Sequence, residues 1–274
     1  MNPPKADPSA PASARGTDHW PIFVLSLEGD EARRAPLLNS LAAMGLEAEV
    51  LIGVDGRGGL PDWAEAEVDR TAELTWDYRT SRYMTDGELA CALSHVRAYR
   101  KVIDDGLPGA IIFEDDALVG EPFRQFILAE AYAVGDMVLL GHKKTWVRRF
   151  SKISLCDGAF GYRIVTPPIG AYAYTISAFA AKYLLKHATP VCDRADWPCD
   201  ISRLDCLAAD PHIVGHPADQ AAQSLLETDR RATREEKLRS KKALRFFSKT
   251  YWFRILRKRL DPQRIRKVFG RRIA

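Results

Sequence analysis

The sequence predicts an α/β fold: a single Rossmann-type domain with a mainly parallel central sheet. Residues 21–27 and 49–54 are short apolar stretches typical of buried strands. Between them, residues 31–44 have the apolar spacing of a helix, which we expect to end at Gly45. A strand, a helix and a second strand at this spacing indicate a βαβ unit, in which the two strands are parallel.

A second helix and strand continue this pattern. Residues 85–88 have the capping-box sequence that begins a helix, and an apolar stripe extends it to Gly106. The apolar strand 110–113 follows directly. Further predicted elements are strands at residues 137–140 and 171–176 and a helix at residues 178–187.

Composition divides the chain into three parts. Residues 1–18 are rich in Pro, Ala and Ser and are predicted to be disordered, residues 19–228 form the α/β domain, and residues 229–274 form a basic, amphipathic helical tail. From residue 230 to the end, 18 Lys and Arg face 3 acidic residues, a net charge of +15, whereas residues 1–229 carry −11. This asymmetry suggests an anionic surface as a partner of the tail.

Within the tail, residues 236–260 mix cations with aromatic and aliphatic side chains. Such a segment is typical of a helix that lies in a membrane interface, here the inner leaflet. A helix docked on the domain, a solvated charged segment and nucleic-acid binding are the alternatives. The acidic domain would repel phosphate and no recognition motif is present, so nucleic acid is the less favoured partner.

Cysteines and apolar segments bear on the location of the protein. Five cysteines without a CxxC pair indicate neither a disulfide framework nor a zinc finger. The N-terminus lacks the apolar core of a secretory signal, and no apolar run approaches the ~20 residues that span a bilayer. We therefore expect a cytoplasmic protein, peripheral on the inner membrane through its tail.

Three consecutive carboxylates, residues 114–116, follow the predicted strand 110–113. Adjacent carboxylates repel one another and cannot all be buried without a compensating cation. At the carboxyl end of a buried strand they lie where open α/β sheets bind ligands, and their hard oxygens suit Mg²⁺ or Mn²⁺. Such an ion neutralises the charge that builds on a diphosphate leaving group. The alternative is an acidic turn that faces solvent.

The surroundings of this cluster carry further patterns: residues 87–95 (GELACALSH), some twenty residues before the cluster, and residues 27–34 and 54–56 near the N-terminus. Together with the cluster they resemble glycosyltransferase family 25. The resemblance continues at residues 170–172 and 195–200. Pro211 and the residues to 214, with Ser224, fall where the family has its closing strand.

The resemblance implies a GT-A-like fold, a UDP-sugar donor, dependence on Mn²⁺ (or Mg²⁺) and inversion at the anomeric carbon. It predicts transfer of a hexose, galactose or glucose, onto a lipopolysaccharide, lipooligosaccharide or other envelope glycan as acceptor. The alternative is a non-catalytic protein on a decayed transferase scaffold that binds a membrane surface or nucleic acid. Retention of all three carboxylates favours the enzyme, because without a metal they would only destabilise the fold.

Each site residue has a predicted role. Asp116, with Glu114 or Asp115, is expected to contact the metal and diphosphate. His216 stands where the family often has Gln, and it is a candidate third metal ligand. The predicted nucleotide-sugar-binding residues are Arg33, Arg34, Asp55, His95, Glu114 and Asp115. The general base that inversion requires is predicted among Asp196, Asp200 and Glu88, and sequence does not separate the three.

Overall fold

The predicted N-terminal strand–helix–strand unit is present, with its two strands parallel and in contact. The structure is a computed structural model, and it describes residues 19–72, 83–217 and 270–273. The helices are α1 (Glu31–Ala43), α2 (Asp62–Glu65), α3 (Asp86–Asp104), α4 (Glu121–Leu128) and α5 (Ala178–Ala188). The strands are β1 (Ile22–Ser26), β2 (Ala48–Ile52), β3 (Gly109–Glu114), β4 (Met137–Leu139), β5 (Thr145–Arg148), β6 (Ile153–Cys156), β7 (Ala159–Arg163), β8 (Ala173–Ser177), β9 (Cys206–Asp210) and β10 (Gly270–Ile273).

Eight strands form one sheet in the order β2-β1-β3-β8-β4-β9-β7-β6. The prediction of a mainly parallel sheet needs correction. The pairs β1/β2, β1/β3 and β4/β9 are parallel, whereas β3/β8, β4/β8, β7/β9 and β6/β7 are antiparallel. The sheet is therefore mixed, because β7 and β8 run against the other six strands.

Helices cover both faces of this sheet. Along β1, Phe23 and Leu25 pack on the face covered by α3 and α5, whereas Ile22 and Val24 pack on the face covered by α1 and α4. The alternation follows from the two-residue period of a strand. Because both faces are covered, the central strands are apolar throughout, and β1 is fully buried.

The predicted cap of α3 is present. Thr85 accepts a hydrogen bond from the backbone N–H of Glu88, and the Glu88 carboxylate accepts one from the N–H of Thr85. Ser177 caps α5 by accepting from the N–H of Ala180. These caps satisfy backbone donors that the first turn of a helix leaves unpaired.

The end of the basic tail is a strand. Gly270–Ile273 pairs antiparallel with β5, and Arg271 forms an ion pair with Asp210 at 2.6 Å. The predicted helical tail is therefore wrong for these four residues. The rest of the tail, including residues 236–260, and the predicted disordered residues 1–18 lie outside the described residues.

The closing strand also differs from its predicted position. It is β9, Cys206–Asp210, and residues 211–214 follow it as a loop because Pro211 lacks the backbone N–H that a central strand needs. Among the residues that the structure describes, no helix has the length and apolar character needed to cross a bilayer.

Candidate functional site at the carboxyl edge of the sheet

The carboxylate cluster lies at the centre of one edge of the sheet. β1 ends at Ser26 and β3 at Glu114, and in their register Leu25 is the partner of Glu114. The N–H of Glu114 donates to the carbonyl of Tyr172, the residue before the antiparallel β8. The cluster thus follows a buried strand at the edge where open α/β sheets bind ligands, as predicted.

Arg33 joins two of the three carboxylates. Its Nε lies 2.7 Å from Asp115 Oδ1, and its Nη2 donates to Asp116 Oδ2 at 2.6 Å. Ser26, at the end of β1, donates its hydroxyl to the second oxygen of Asp115. α1 begins five residues after β1 and so places Arg33 in its first turn, directly over the cluster. Arg33 supplies the compensating cation that the buried carboxylates require.

The two aspartates differ in their electrostatic environment. Burial raises the pKa of Asp115 above its ordinary value and outweighs the opposing effects of Arg33 and Ser26. Burial acts in the same direction on Asp116, but contact with His216 and the charge of Arg33 lower the pKa of Asp116 below its ordinary value. Asp116 is therefore the carboxylate held firmly in its ionised form.

Glu114, Asp116 and His216 bring candidate ligand atoms within 4.8 Å of one another. Asp116 Oδ1 lies 3.4 Å from His216 Nε2 and is buried without a hydrogen bond of normal geometry. The three side chains are between 18% and 30% exposed, so an ion can reach them from solvent. Two carboxylates and an imidazole fit a divalent cation such as Mn²⁺.

A backbone bridge positions His216. Leu118 and Gly215 exchange two hydrogen bonds, of 3.0 and 2.9 Å, which tie the loop after β9 to the turn after β3. The ring of Tyr172 then packs against His216, with 4.7 Å between ring centroids. The predicted third ligand thus reaches the cluster from a segment about one hundred residues away in sequence.

Arg34 and Asp55 lie near the same edge but have other partners. Arg34 donates to the carbonyl of Leu27 and to Glu31, so it ties the start of α1 to the end of β1. Asp55 follows β2 and pairs with Arg57, which also contacts Asp30. The contacts of both residues connect neighbouring segments of the fold. Their predicted role in nucleotide binding stays a prediction.

The three candidate bases occupy different environments. Glu88 is 2% exposed and forms the capping box of α3, which is a structural role. Asp200 accepts hydrogen bonds from the backbone and the hydroxyl of Ser202. Asp196 accepts from the N–H of Gly170, two residues before Tyr172. Of the three, Asp196 is the one linked by a contact to the loop that enters the site.

Sequence reasoning missed three residues of this edge. Ser26 binds Asp115, Tyr172 packs on His216, and His142 lies just beyond β4, 2% exposed, with Nε2 3.1 Å from the carbonyl of Ala209. The predicted strand 137–140 followed by a glycine and a histidine was the signal for His142. Tyr172 lies in the pattern at residues 170–172 that carries the family resemblance, but no role was assigned to it. No local signal marks Ser26, because its contact with Asp115 depends on the sheet order.

The structure also places His95 at the site. It lies on α3, 1% exposed, with Nε2 3.6 Å from Glu114 Oε1. The predicted part of His95 in donor binding stays a prediction.

Comparison with known proteins identifies similar sequences. The sequence model described as glycosyltransferase family 25 (LPS biosynthesis protein) matches residues 19–201. A protein of Rattus norvegicus, "Probable inactive glycosyltransferase 25 family member 3", is 30% identical over 60% of this chain and 29% of its own length. "Lipooligosaccharide biosynthesis protein lic2B" of Haemophilus influenzae is 28% identical over 54% of this chain and 62% of its own. "Procollagen galactosyltransferase 2" of Mus musculus is 25% identical over 52% and 24%.

Each of these matches covers only part of this chain and only part of the relative. The chain spans less than two thirds of the length of each of these relatives. A crystal structure of a protein from STIV superposes with a TM-score of 0.37 and 11% identity over 72% of this chain and 83% of that chain. A likeness this distant does not identify a common fold.

Proposed function

Because the chain belongs to glycosyltransferase family 25, we propose that it is an active hexosyltransferase that uses a UDP-sugar and a divalent cation. The hexose is galactose or glucose, and the acceptor is lipopolysaccharide, lipooligosaccharide or another envelope glycan. Transfer inverts the anomeric carbon. The Haemophilus relative, a lipooligosaccharide biosynthesis protein by name, supports the choice of acceptor.

One observation carries the proposal: Glu114, Asp116 and His216 converge at the carboxyl edge of the sheet with ligand atoms within 4.8 Å of one another. Arg33 pairs with Asp115 and Asp116, but one guanidinium beside three carboxylates leaves negative charge that a cation would neutralise. Mn²⁺ held there would supply Lewis-acid neutralisation of the diphosphate leaving group. The lowered pKa of Asp116 keeps that ligand ionised at neutral pH.

Arg33 adds a second positive charge to the same place. Its side chain is 35% exposed and contacts two carboxylates of the cluster. A planar guanidinium binds phosphate oxygens in the same forked manner as it binds carboxylates. Arg33 is therefore the residue that would bind the donor diphosphate beside the cation.

Asp196 is the base that the contacts favour. Its carboxylate binds the N–H of Gly170, and a side chain at Gly170 would touch Tyr172 and the backbone of His142. Asp196 therefore belongs to the loops that enter the site, whereas Glu88 is buried in a helix cap. An Asp196→Asn variant should bind donor normally and lose transfer.

Thermal unfolding with nucleotide-sugars tests the proposal. UDP-, GDP- and CMP-sugars are added to the full chain with and without Mn²⁺, to wild type, to Asp116→Ala and to Glu47→Ala, which alters an exposed carboxylate outside the site. We expect Mn²⁺-dependent stabilisation by UDP-hexoses alone, retained in Glu47→Ala and absent in Asp116→Ala. A folded wild-type protein that none of the sugars stabilises would contradict the proposal.

A non-catalytic protein is the second candidate. The rat relative is named as probably inactive, and Arg33 already neutralises Asp115 and Asp116 without a metal. This candidate predicts that Mn²⁺ does not change the melting temperature and that no UDP-hexose is hydrolysed or transferred. Membrane binding through residues 236–260 stays a prediction under either candidate, because that segment lies outside the described residues.

A further inference from the structure

His95 has a buried ring nitrogen without a hydrogen bond. Its Nδ1 lies 2.8 Å from the hydroxyl of Tyr174, which in turn donates to Tyr99. Its Nε2 has no hydrogen-bond partner within the described part of the chain, and the residue is 1% exposed. A buried polar atom of this kind costs free energy unless something binds it.

Neither neutral tautomer of His95 gives Nε2 a hydrogen bond. If Nδ1 carries the proton and donates to Tyr174, the lone pair of Nε2 faces the carboxylate of Glu114. If Nε2 carries the proton, its distance of 3.6 Å to Glu114 Oε1 exceeds the range of a normal hydrogen bond. A cation between the two atoms would satisfy both.

A third ligand-bearing side chain lies beside them. Cys91 precedes His95 by one turn of α3, so both residues project from the same face of the helix. The Cys91 sulfur, a ring nitrogen of His95 and an oxygen of Glu114 all lie within 4.8 Å of one another. We propose that Cys91, His95 and Glu114 bind a zinc ion.

The distance and the chemistry both suit zinc. Ligand atoms bound tetrahedrally to one Zn²⁺ lie about 3.3–3.8 Å apart, and His95 Nε2 is 3.6 Å from Glu114 Oε1. A thiolate and an imidazole favour Zn²⁺ over Mn²⁺ or Mg²⁺, which prefer oxygen ligands. The hydrogen bond between Nδ1 and Tyr174 orients the ring as partners behind metal-binding histidines do.

The zinc site adjoins the Glu114–Asp116–His216 set and shares Glu114 with it, but it alone contains sulfur. Zinc there would join α3 to the end of β3 and fix the Glu114 carboxylate at the edge of the sheet. The inference does not depend on the proposed function, because it rests on the surroundings of His95.

A buried water is the competing partner for His95. A cavity of about 10 Å³, lined by His95, Tyr99 and Ala195 among others, has room for about one water molecule. A water bound to Nε2 would satisfy the ring nitrogen without any metal affinity, so metal binding separates the two explanations.

Cobalt substitution tests the proposal. The full chain, without an affinity tag and stripped of metal by a chelator, is titrated with Co²⁺ and then with Zn²⁺. The variants are Cys91→Ser, His95→Gln, His216→Ala and, as the matched control, Cys192→Ser, which alters another partly buried cysteine. Each variant is first checked by circular dichroism for a folded chain.

We expect a thiolate-to-cobalt charge-transfer band that reaches its full intensity at one equivalent of Co²⁺. One equivalent of Zn²⁺ should remove this band. The band should persist in Cys192→Ser and His216→Ala and disappear in Cys91→Ser, with about tenfold or greater loss of zinc affinity in Cys91→Ser and His95→Gln. No band in wild type, or a band of equal intensity in Cys91→Ser, would overturn the proposal. If His95→Gln does not fold, the Cys91→Ser result decides.

Discussion

Arg33 carries the compensating charge of the site. It contacts Asp115 and Asp116 on one side and is about one third exposed to solvent on the other. Burial opposes its charge, yet the surrounding carboxylates raise the pKa of Arg33 above its ordinary value, so it stays a cation throughout the accessible pH range. A divalent cation bound to Asp116 would share this carboxylate with Arg33. The stability of the free protein and its response to metal are therefore coupled.

Replacing Arg33 should expose that coupling. Arg33→Gln leaves two partly buried carboxylates without their cation, and we expect a loss of roughly 1–2 kcal/mol in the free energy of unfolding, reduced from the cost of a fully buried pair by the partial exposure of Arg33. Because the repulsion then remains, Mn²⁺ should stabilise the variant more than it stabilises wild type. Urea unfolding with and without Mn²⁺ measures both effects.

Arg34→Gln is the matched control for this prediction. Arg34 lies on the same turn of α1 but donates to Glu31, to the carbonyl of Leu27 and to the hydroxyl of Ser26, and it forms no ion pair with the aspartates. Mn²⁺ should stabilise Arg34→Gln against unfolding no more than it stabilises wild type. An equal response to Mn²⁺ in Arg33→Gln and wild type would mean that the guanidinium does not govern the charge of the cluster.

At this scale the sequence predicted the carboxylate cluster better than the partners of its side chains. The cluster at residues 114–116 was visible because three consecutive carboxylates directly follow an apolar strand, although an acidic turn was the alternative explanation. The pairing of Arg33 with Asp115 and Asp116 was not visible, since it depends on β1 and β3 being neighbours in the sheet. The contact of Ser26 with Asp115 was not predicted for the same reason.

At the scale of elements, the contact between the end of β4 and the start of β8 positions His216. Gly141 follows β4 and packs directly against the phenol ring of Tyr172, and that ring packs on His216. A Cβ on residue 141 would overlap the ring. Only glycine allows the two segments to approach this closely.

Gly141→Ala should therefore loosen the site as well as the fold. We expect a loss of about 1–3 kcal/mol in the free energy of unfolding from overpacking. Displacement of Tyr172 from His216 should also weaken Mn²⁺ binding, which isothermal titration calorimetry measures.

Gly58→Ala serves as the control, because a Cβ at residue 58 meets nothing within 4 Å. It should change stability by less than about 0.5 kcal/mol. If Gly141→Ala and Gly58→Ala bind Mn²⁺ equally well, the β4–β8 contact does not support the proposed metal site.

Local signals decided which elements the sequence predicted. α1, α3 and α5 were found because caps and apolar periodicity lie within a few residues. The β6–β7 hairpin was missed, although the Asp157–Gly158 pair between two short strands is a recognised hairpin signal. The antiparallel direction of β8 could not be predicted, since strand direction depends on tertiary connections and leaves no local pattern.

For the whole molecule, the opposite charges of domain and tail meet at β10. Arg271 binds Asp210, the last residue of β9, and stacks over the ring of Tyr162 at 4.1 Å. β10 is separated in sequence from the loop that holds His216 by residues 218–269, which lie outside the described residues.

The docking of β10 can be tested at one residue. Ile273 is 5% exposed and belongs to the same core cluster as Val147 of β5, whereas Arg272, one residue before it, points to solvent. Ile273→Ala removes buried apolar surface and should lower the free energy of unfolding by about 2 kcal/mol or more, while Arg272→Ala should change it by less than about 0.5 kcal/mol. Urea unfolding of the full chain measures both. Equal stability of the two variants would show that the end of the tail is not part of the folded domain.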